Sequence, residues 1–316
     1  MPIKISKKTF RWVKYYFYSF FLLILVIPIM IILPAFAQKA EMVLLRVQIP
    51  QTSVSTLGIQ KTIPYPVSQN YPVPELSARA VLVKDLGTET ILYQKSIHVP
   101  LPIASTTKIM TALVSSEYFK PNSILIVQDG AGVTGARVGL NKGEALTFRS
   151  LLYGMLLNSG NDAAYAIAEN YPEGIKGFVS AMNQKAKELD LKGTLFDNPA
   201  GFDNPHHYST ASDLDKMTRE ALKNPDLSRI FATKGTEVQS LDKRYSHKLV
   251  NLNKLLSEIN GVLGVKTGYT ENAKENLVTL VERDEHRILT VVLGSDDRFG
   301  DSKALIEWAY QNFIWQ

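Results

Sequence analysis

Two kinds of hydrophobic periodicity divide this chain, and their order restricts the folds open to it. From Ala78 the runs ARAVLVKD and ILYQK are rich in β-formers, are separated at Gly87, and read as a hairpin. Helical spacing then takes over. A helix is expected to start at or near Ser105, with others over Phe148–Leu157, Asp162–Asn170, Gly174–Leu189 and Ala211–Leu222, interrupted by turn-rich stretches such as FDNPAGFDNP. After Gly261 the pattern returns to β type in GVLGVKTGYT, NLVTLVER and RILTVVLG, and it closes with an amphipathic helix, SKALIEWAYQNF. Strands at both ends with helices between them imply one sheet built from N- and C-terminal pieces and a helical subdomain, an α+β arrangement. A chain of 316 residues accommodates this as one large domain with an N-terminal appendage.

The appendage explains the charge. Lys4, Lys7, Lys8, Arg11 and Lys14 place five of the 35 basic residues in the first fourteen positions, where there is no acid, and the other 30 balance 30 Asp and Glu. A nucleic-acid surface needs basic residues clustered in the folded part, so no nucleic-acid partner is expected. Tyr15 to Ala37 carries no charge and is long enough to cross a bilayer as a helix, with the positive cluster left on the cytoplasmic side. Ala35-Phe36-Ala37 also has the small-x-small form of a signal-peptide cleavage site, so residues 1–37 are read as a membrane anchor or a signal peptide. The length of the apolar run favours the anchor, while Pro28 and Pro34 weaken it as a straight helix. Either way the bulk of the chain lies outside the cytoplasm, on the outer face of the cell membrane or released to the envelope. Residues 38–75, rich in Pro, Gln, Ser and Thr, read as an extracytoplasmic linker, and 76–316 as the globular domain. The absence of cysteine excludes disulfides, thiolate metal sites and a cysteine nucleophile.

Three short motifs occur in order: Ser105-Thr-Thr-Lys108, Ser159-Gly-Asn161 and Lys266-Thr267-Gly268. Each alone has an ordinary explanation. Ser105 could be a helix N-cap, Ser159 and Asn161 a turn, and Lys266 a solvated strand lysine. Their settings carry more information than their letters, because residues three apart on a helix share a face and bring the Ser105 hydroxyl to the Lys108 amine. A lysine acting as base must be neutral. From a reference near 10.4 that requires a fall of about three units, roughly 4–5 kcal/mol, which burial, the helix N-terminus and a second cation at Lys266 all favour. On the strand, Lys266 and Gly268 face one side by the period of two, and the glycine admits a substrate backbone.

The sequence closely resembles the penicillin-binding proteins, and within them the low-molecular-mass D-alanyl-D-alanine carboxypeptidases, a family of serine peptidases. The likeness extends through PIASTTKIMTAL, GEALTFRSLLYGMLLNSGNDAA, MNQKAKEL, FDNPAGF, STASDL, GVKTGYT and RILTVVLG. It implies a penicillin-binding protein/β-lactamase-like transpeptidase fold with an antiparallel sheet. It further implies removal of the terminal D-Ala from peptidoglycan stem peptides ending in D-Ala-D-Ala, and acylation by β-lactam antibiotics. By that resemblance Ser105 attacks the penultimate D-Ala carbonyl, Lys108 is its base, and Ser159 passes the proton to the leaving D-Ala. Asn161 holds the substrate amide, Lys266 with Thr267 receives the carboxylate, and the N–H groups of Ser105 and Tyr269, the latter following Gly268, form the oxyanion hole. No cofactor or metal is implied.

Three departures are visible. Lys274 replaces the usual glycine after the KTG strand, so a different turn is expected there. Asn251-Leu252-Asn253 stands where some relatives carry a carboxylate-assisting arginine, so weaker carboxylate affinity is expected. The all-β domain that many relatives append is absent before Gln316, so any tether is expected at the N-terminus. A serine β-lactamase would share the frame but needs a deacylating glutamate that the sequence does not locate. A catalytically inactive peptidoglycan-binding protein is the other alternative, and every reactive position being filled argues against it. His206 and His207 are adjacent in a turn-rich segment without metal-ligand spacing, and His98, His247 and His286 are scattered.

Overall fold

The computed structural model describes residues 64–316. The chain enters on a short strand β1 (Pro66–Ser68), followed by the hairpin β2 (Ala80–Asp85) and β3 (Ile91–Lys95). A 3₁₀ turn over Ala104–Thr107 leads into helix α1 (Lys108–Tyr118). A hairpin of β4 (Ile124–Ile126) and β5 (Ala145–Thr147) precedes α2 (Phe148–Leu157), α3 (Asn161–Glu169) and α4 (Gly174–Glu188). Helices α5 (Ala211–Leu222) and α6 (Pro225–Ala232) complete the helical block. A second hairpin, β6 (Gly235–Gln239) with β7 (Ser246–Val250), and the short α7 (Leu255–Glu258) return the chain to the sheet. Strands β8 (Val262–Thr270), β9 (Lys274–Arg283) and β10 (His286–Ser295), helix α8 (Arg298–Asn312) and β11 (Phe313–Trp315) end it.

The main sheet has the order β3-β2-β10-β9-β8, antiparallel throughout, so the N-terminal hairpin is joined edge to edge with the C-terminal meander. Its central strands are apolar on both faces because both faces are covered. Ala80, Leu82, Leu289, Val291 and Leu293 face the helical block, while their neighbours Val81, Val83, Ile288 and Val292 pack under Leu305, Trp308 and Ala309 of α8. Each such Leu, Ile or Val side chain contributes about 1.5–3 kcal/mol on burial, and the period of two distributes that stabilisation between two layers. Helix α1 runs inside the helical block, with every residue from Lys108 to Ser115 buried. The block's helices begin on side-chain caps at Thr147, Thr210 and Asn224, each worth about 1 kcal/mol, which fixes where α2, α5 and α6 start.

The boundary expected at residue 76 moves. β1 pairs antiparallel with β11, the Tyr65 N–H donates to the Gln316 carbonyl, and the Tyr71 N–H donates to Asn312 Oδ1, so this part of the expected linker is folded against the C-terminus. Pro64, Pro66, Pro72 and Pro74 hide that ribbon, because proline normally punctuates strands and survives only at an edge. The expected anchor or signal segment and the earlier linker residues lie outside the described residues. Among the described residues no helix is long and apolar enough to cross a membrane.

Candidate active site

The 3₁₀ turn before α1 carries the first motif. Ala104 opens the turn at φ +46°, a left-handed conformation that L-residues avoid, and Ser105 follows it within the 3₁₀ turn rather than starting the α-helix itself. Side chains three apart on a 3₁₀ turn eclipse, so the expected pairing survives: Lys108 Nζ lies 2.7 Å from Ser105 Oγ. The amine is wholly buried, at 0% exposure, with two further oxygens in reach, Asn161 Oδ1 at 2.8 Å and the Ala200 carbonyl at 2.7 Å. A neutral amine has two protons and one lone pair, and this set matches it: the protons go to Asn161 and Ala200, and the lone pair accepts the Ser105 O–H. Burial, and then the charge of Lys266, hold the Lys108 pKa well below the ordinary lysine value, with Asp162 opposing.

The second motif lies between α2 and α3. Ser159 has φ +57° and is buried, and Asn161 begins α3. Asn161 is fixed at both ends of its amide, since Oδ1 accepts from Lys108 while Nδ2 donates to the Thr134 carbonyl at 2.8 Å. In this arrangement it orients the base, and only one amide proton remains for a substrate. Asp162 secures the loop above it, accepting from the N–H groups of Val138 at 2.9 Å, Gly139 at 2.8 Å, Leu140 at 3.0 Å and Ala163 at 2.9 Å.

The third motif lies on β8, the edge strand of the sheet. Lys266 is 2% exposed and donates to Ser159 Oγ at 3.0 Å and to the Thr267 carbonyl at 2.9 Å, joining the second and third motifs. Burial, and then the nearby Arg298 guanidinium, lower its pKa to about 7. Thr267 is buried, and its hydroxyl has no hydrogen-bonded protein partner among the described residues. At Gly268 the strand passes so close to the nucleophile's turn that a Cβ would lie 3.0 Å from the Ser105 nitrogen and 3.0 Å from the Ile103 carbonyl, so a larger residue would have to push that turn back by a few tenths of an ångström. The Tyr269 side chain is 58% exposed at the rim.

The three motifs therefore meet where β8 passes the nucleophile's turn and the start of α3, with Tyr269 following Gly268 on the strand. Three contributors were missed. The Ala200 carbonyl in the FDNPAGF loop holds Lys108, but a main-chain acceptor leaves no mark on residue type. Arg298, far along the sequence, donates to the Gly268 carbonyl at 2.9 Å and supplies beside Lys266 a positive charge that the Asn251-Leu252-Asn253 segment does not carry. That segment is a turn, in which Asn251 Nδ2 donates to the carbonyls of Phe231 and Thr233. His207 is the third, buried behind the nucleophile's turn. Lys274 itself adopts φ +57°, a left-handed conformation that suits glycine better than lysine.

A family profile described as D-alanyl-D-alanine carboxypeptidase matches residues 67–297. D-alanyl-D-alanine carboxypeptidase DacF of Bacillus subtilis is 34% identical over 246 residues, covering 75% of this chain and 63% of its own length. The D-alanyl-D-alanine carboxypeptidase of Streptomyces sp. (strain K15) is 34% identical over 239 residues, covering 70% of this chain and 82% of its own. The crystal structure of the Streptomyces K15 DD-transpeptidase superimposes with a TM-score of 0.72 at 31% identity, covering 76% of this chain and 100% of that one. The chain thus spans less than two thirds of the Bacillus relative and the whole of the Streptomyces structure.

Proposed function

Since the chain belongs to the D-alanyl-D-alanine carboxypeptidase family and has its α+β penicillin-binding-protein fold, we propose that it removes the terminal D-Ala from peptidoglycan stem peptides through an acyl-enzyme on Ser105. The observation that carries this reading is the wholly buried Lys108 amine, 2.7 Å from a serine hydroxyl and held in place by two other oxygens. In the reaction Lys108 takes the Ser105 proton as Oγ bonds to the penultimate D-Ala carbonyl carbon. The negative oxygen of the tetrahedral intermediate accepts hydrogen bonds from the backbone N–H groups of Ser105 and Tyr269. As the C–N bond breaks, the proton held by Lys108 is relayed through Ser159 to the departing D-Ala nitrogen, which leaves Lys108 neutral for the second half of the reaction. Water then attacks the ester, its proton passing to Lys108, and the shortened stem leaves with Ser105 regenerated. The terminal carboxylate is received by Lys266 and Thr267, with the field of Arg298 behind them.

The same cleft is proposed to be acylated by β-lactams, whose strained amide and carboxylate mimic the substrate's end. Hydrolysis of such adducts at β-lactamase rates is disfavoured by the surroundings of the nucleophile. Among the described residues no carboxylate is hydrogen-bonded to Ser105 or Lys108, and Asp162, the acid that acts on Lys108, is committed to four backbone N–H groups. The proposed location is the outer face of the cytoplasmic membrane, with the apolar segment Tyr15–Ala37 as the anchor or export signal. Protease shaving of intact spheroplasts should digest the domain, and its protection there would refute that placement. The activity is tested by mass analysis of purified muropeptides before and after incubation: loss of a single alanine from pentapeptide stems is expected, and unchanged stems would overturn the proposal.

A further inference from the structure

We infer that His207 is a positioning residue for the nucleophile, its neutral imidazole clamping the FDNPAGF loop to the turn that presents Ser105. This rests on Ser105 being the residue acylated. The imidazole is 2% exposed and uses both ring nitrogens. Nδ1 accepts from the Asp197 N–H at 3.1 Å, so the proton is on Nε2, which lies 2.7 Å from Thr107 Oγ1. The single Thr107 hydroxyl proton goes to the Ala104 carbonyl at 2.8 Å, leaving the oxygen to accept from the imidazole. The chain of donors is thus Asp197 N–H, His207, Thr107, Ala104, and it ends on the residue whose left-handed backbone turns the chain into Ser105.

The loop that His207 holds is the one that serves the base. Pro199 accepts from Thr111 Oγ1 at 2.6 Å, and Ala200 accepts from Lys108 Nζ at 2.7 Å and lies 3.5 Å from Ser105 Oγ. Gly201 then passes so close to Ala104 that a Cβ would lie 1.9 Å from its carbonyl oxygen, so loop and turn are in backbone contact. Without the imidazole, Thr107 and the Asp197 N–H lose their shared partner, and the strained Ala104 turn loses one of its restraints. The charged groups acting on His207 are Asp197 and Asp203, which favour its protonation, and Lys108, which opposes it. Burial outweighs them and lowers its pKa to about 4, so the ring stays neutral at physiological pH and keeps the tautomer that the clamp requires.

The inference is tested with His207→Asn, His207→Gln and Thr107→Val, measuring the acylation rate constant and the pre-acylation dissociation constant for a fluorescent penicillin, with thermal denaturation alongside. Gln retains an N–H able to reach Thr107, and Asn does not. His207→Asn is expected to lose roughly 10- to 100-fold in the acylation rate constant, the scale of a misplaced reacting group, with the dissociation constant within about threefold of wild type. His207→Gln should recover most of that loss, and Thr107→Val should reproduce it without adding to it in the double variant. Equal losses in Asn and Gln that track only thermal stability would overturn the clamp, as would full multiplication of the Thr107 and His207 effects. A wild-type protein whose adduct forms elsewhere than on Ser105 would refute the underlying reading, and the two failures are told apart by the labelled residue.

Discussion

Replacing Lys266 by methionine should make the protein more stable and far less active. The ammonium is wholly buried, and its pKa falls from 10.5 to about 7, chiefly by desolvation and then by the charge of Arg298. At about 1.4 kcal/mol per unit, this is a folding penalty of about 5 kcal/mol when the group is charged. Methionine has a similar length and fills the space, but it forfeits the bonds to Ser159 Oγ and the Thr267 carbonyl, at about 1 kcal/mol each. The expected net gain is about 3 kcal/mol, or roughly 6–12 °C in melting temperature for a domain of this size. Because the folded pKa lies below the unfolded one, the unfolded chain binds the extra proton between about pH 7 and 10.5, and wild-type stability rises with pH across that window. The advantage of methionine is therefore greatest below pH 7 and fades as pH approaches 10.5. Loss of the carboxylate partner should lower kcat/KM by ~100-fold or more. Thermal denaturation at pH 6, 8 and 10.5, paired with D-Ala release, reads both effects. A variant less stable than wild type at pH 6 would refute the reasoning that Lys266 is retained against its folding cost.

The pH profile of kcat/KM for a carboxylate-ended peptide should be bell-shaped. Its acid limb reports Lys108, which is active as the neutral amine and is held well below the ordinary lysine range by burial and Lys266. Its alkaline limb should fall near pH 7 as Lys266 loses its proton, and a C-terminally amidated analogue should lack that limb. Lys108→Met should cut the acylation rate by ~10³-fold while circular dichroism shows a retained fold, the loss expected for a missing general base. Lys274→Gly should stabilise the protein by about 1 kcal/mol in urea denaturation, since it relieves the φ of +57° at the exposed first residue of β9.

The features written in side chains with a spacing rule were legible from the sequence. The five strands of the main sheet, most of the helices and all three reactive motifs follow from periodicity and residue type. The site's other half was not, because it is made of main chain and of contacts across long separations. No pattern marks Ala200 as the acceptor for Lys108, or Ala104 as left-handed, since alanine has no preference for either role. Arg298 reaches the site from the first turn of a helix beyond two further strands, and His207 looked like one of a pair of turn histidines until packing buried it. Helix α6 has a regular start signal in Asn224-Pro225, but its eight residues are too few for a periodicity to show in the sequence. The β1–β11 ribbon joins segments at opposite ends of the described chain, one of them proline-rich, and neither reads as a strand by itself.

The central claim is that a neutral, buried lysine makes one particular hydroxyl nucleophilic. Peptide mapping by mass spectrometry after brief treatment with a penicillin tests it most directly. The acyl adduct should lie on Ser105, should be absent from Ser105→Ala, and should form too slowly to detect in Lys108→Met. An adduct on another residue, or labelling of Ser105→Ala at the wild-type rate, would contradict the account.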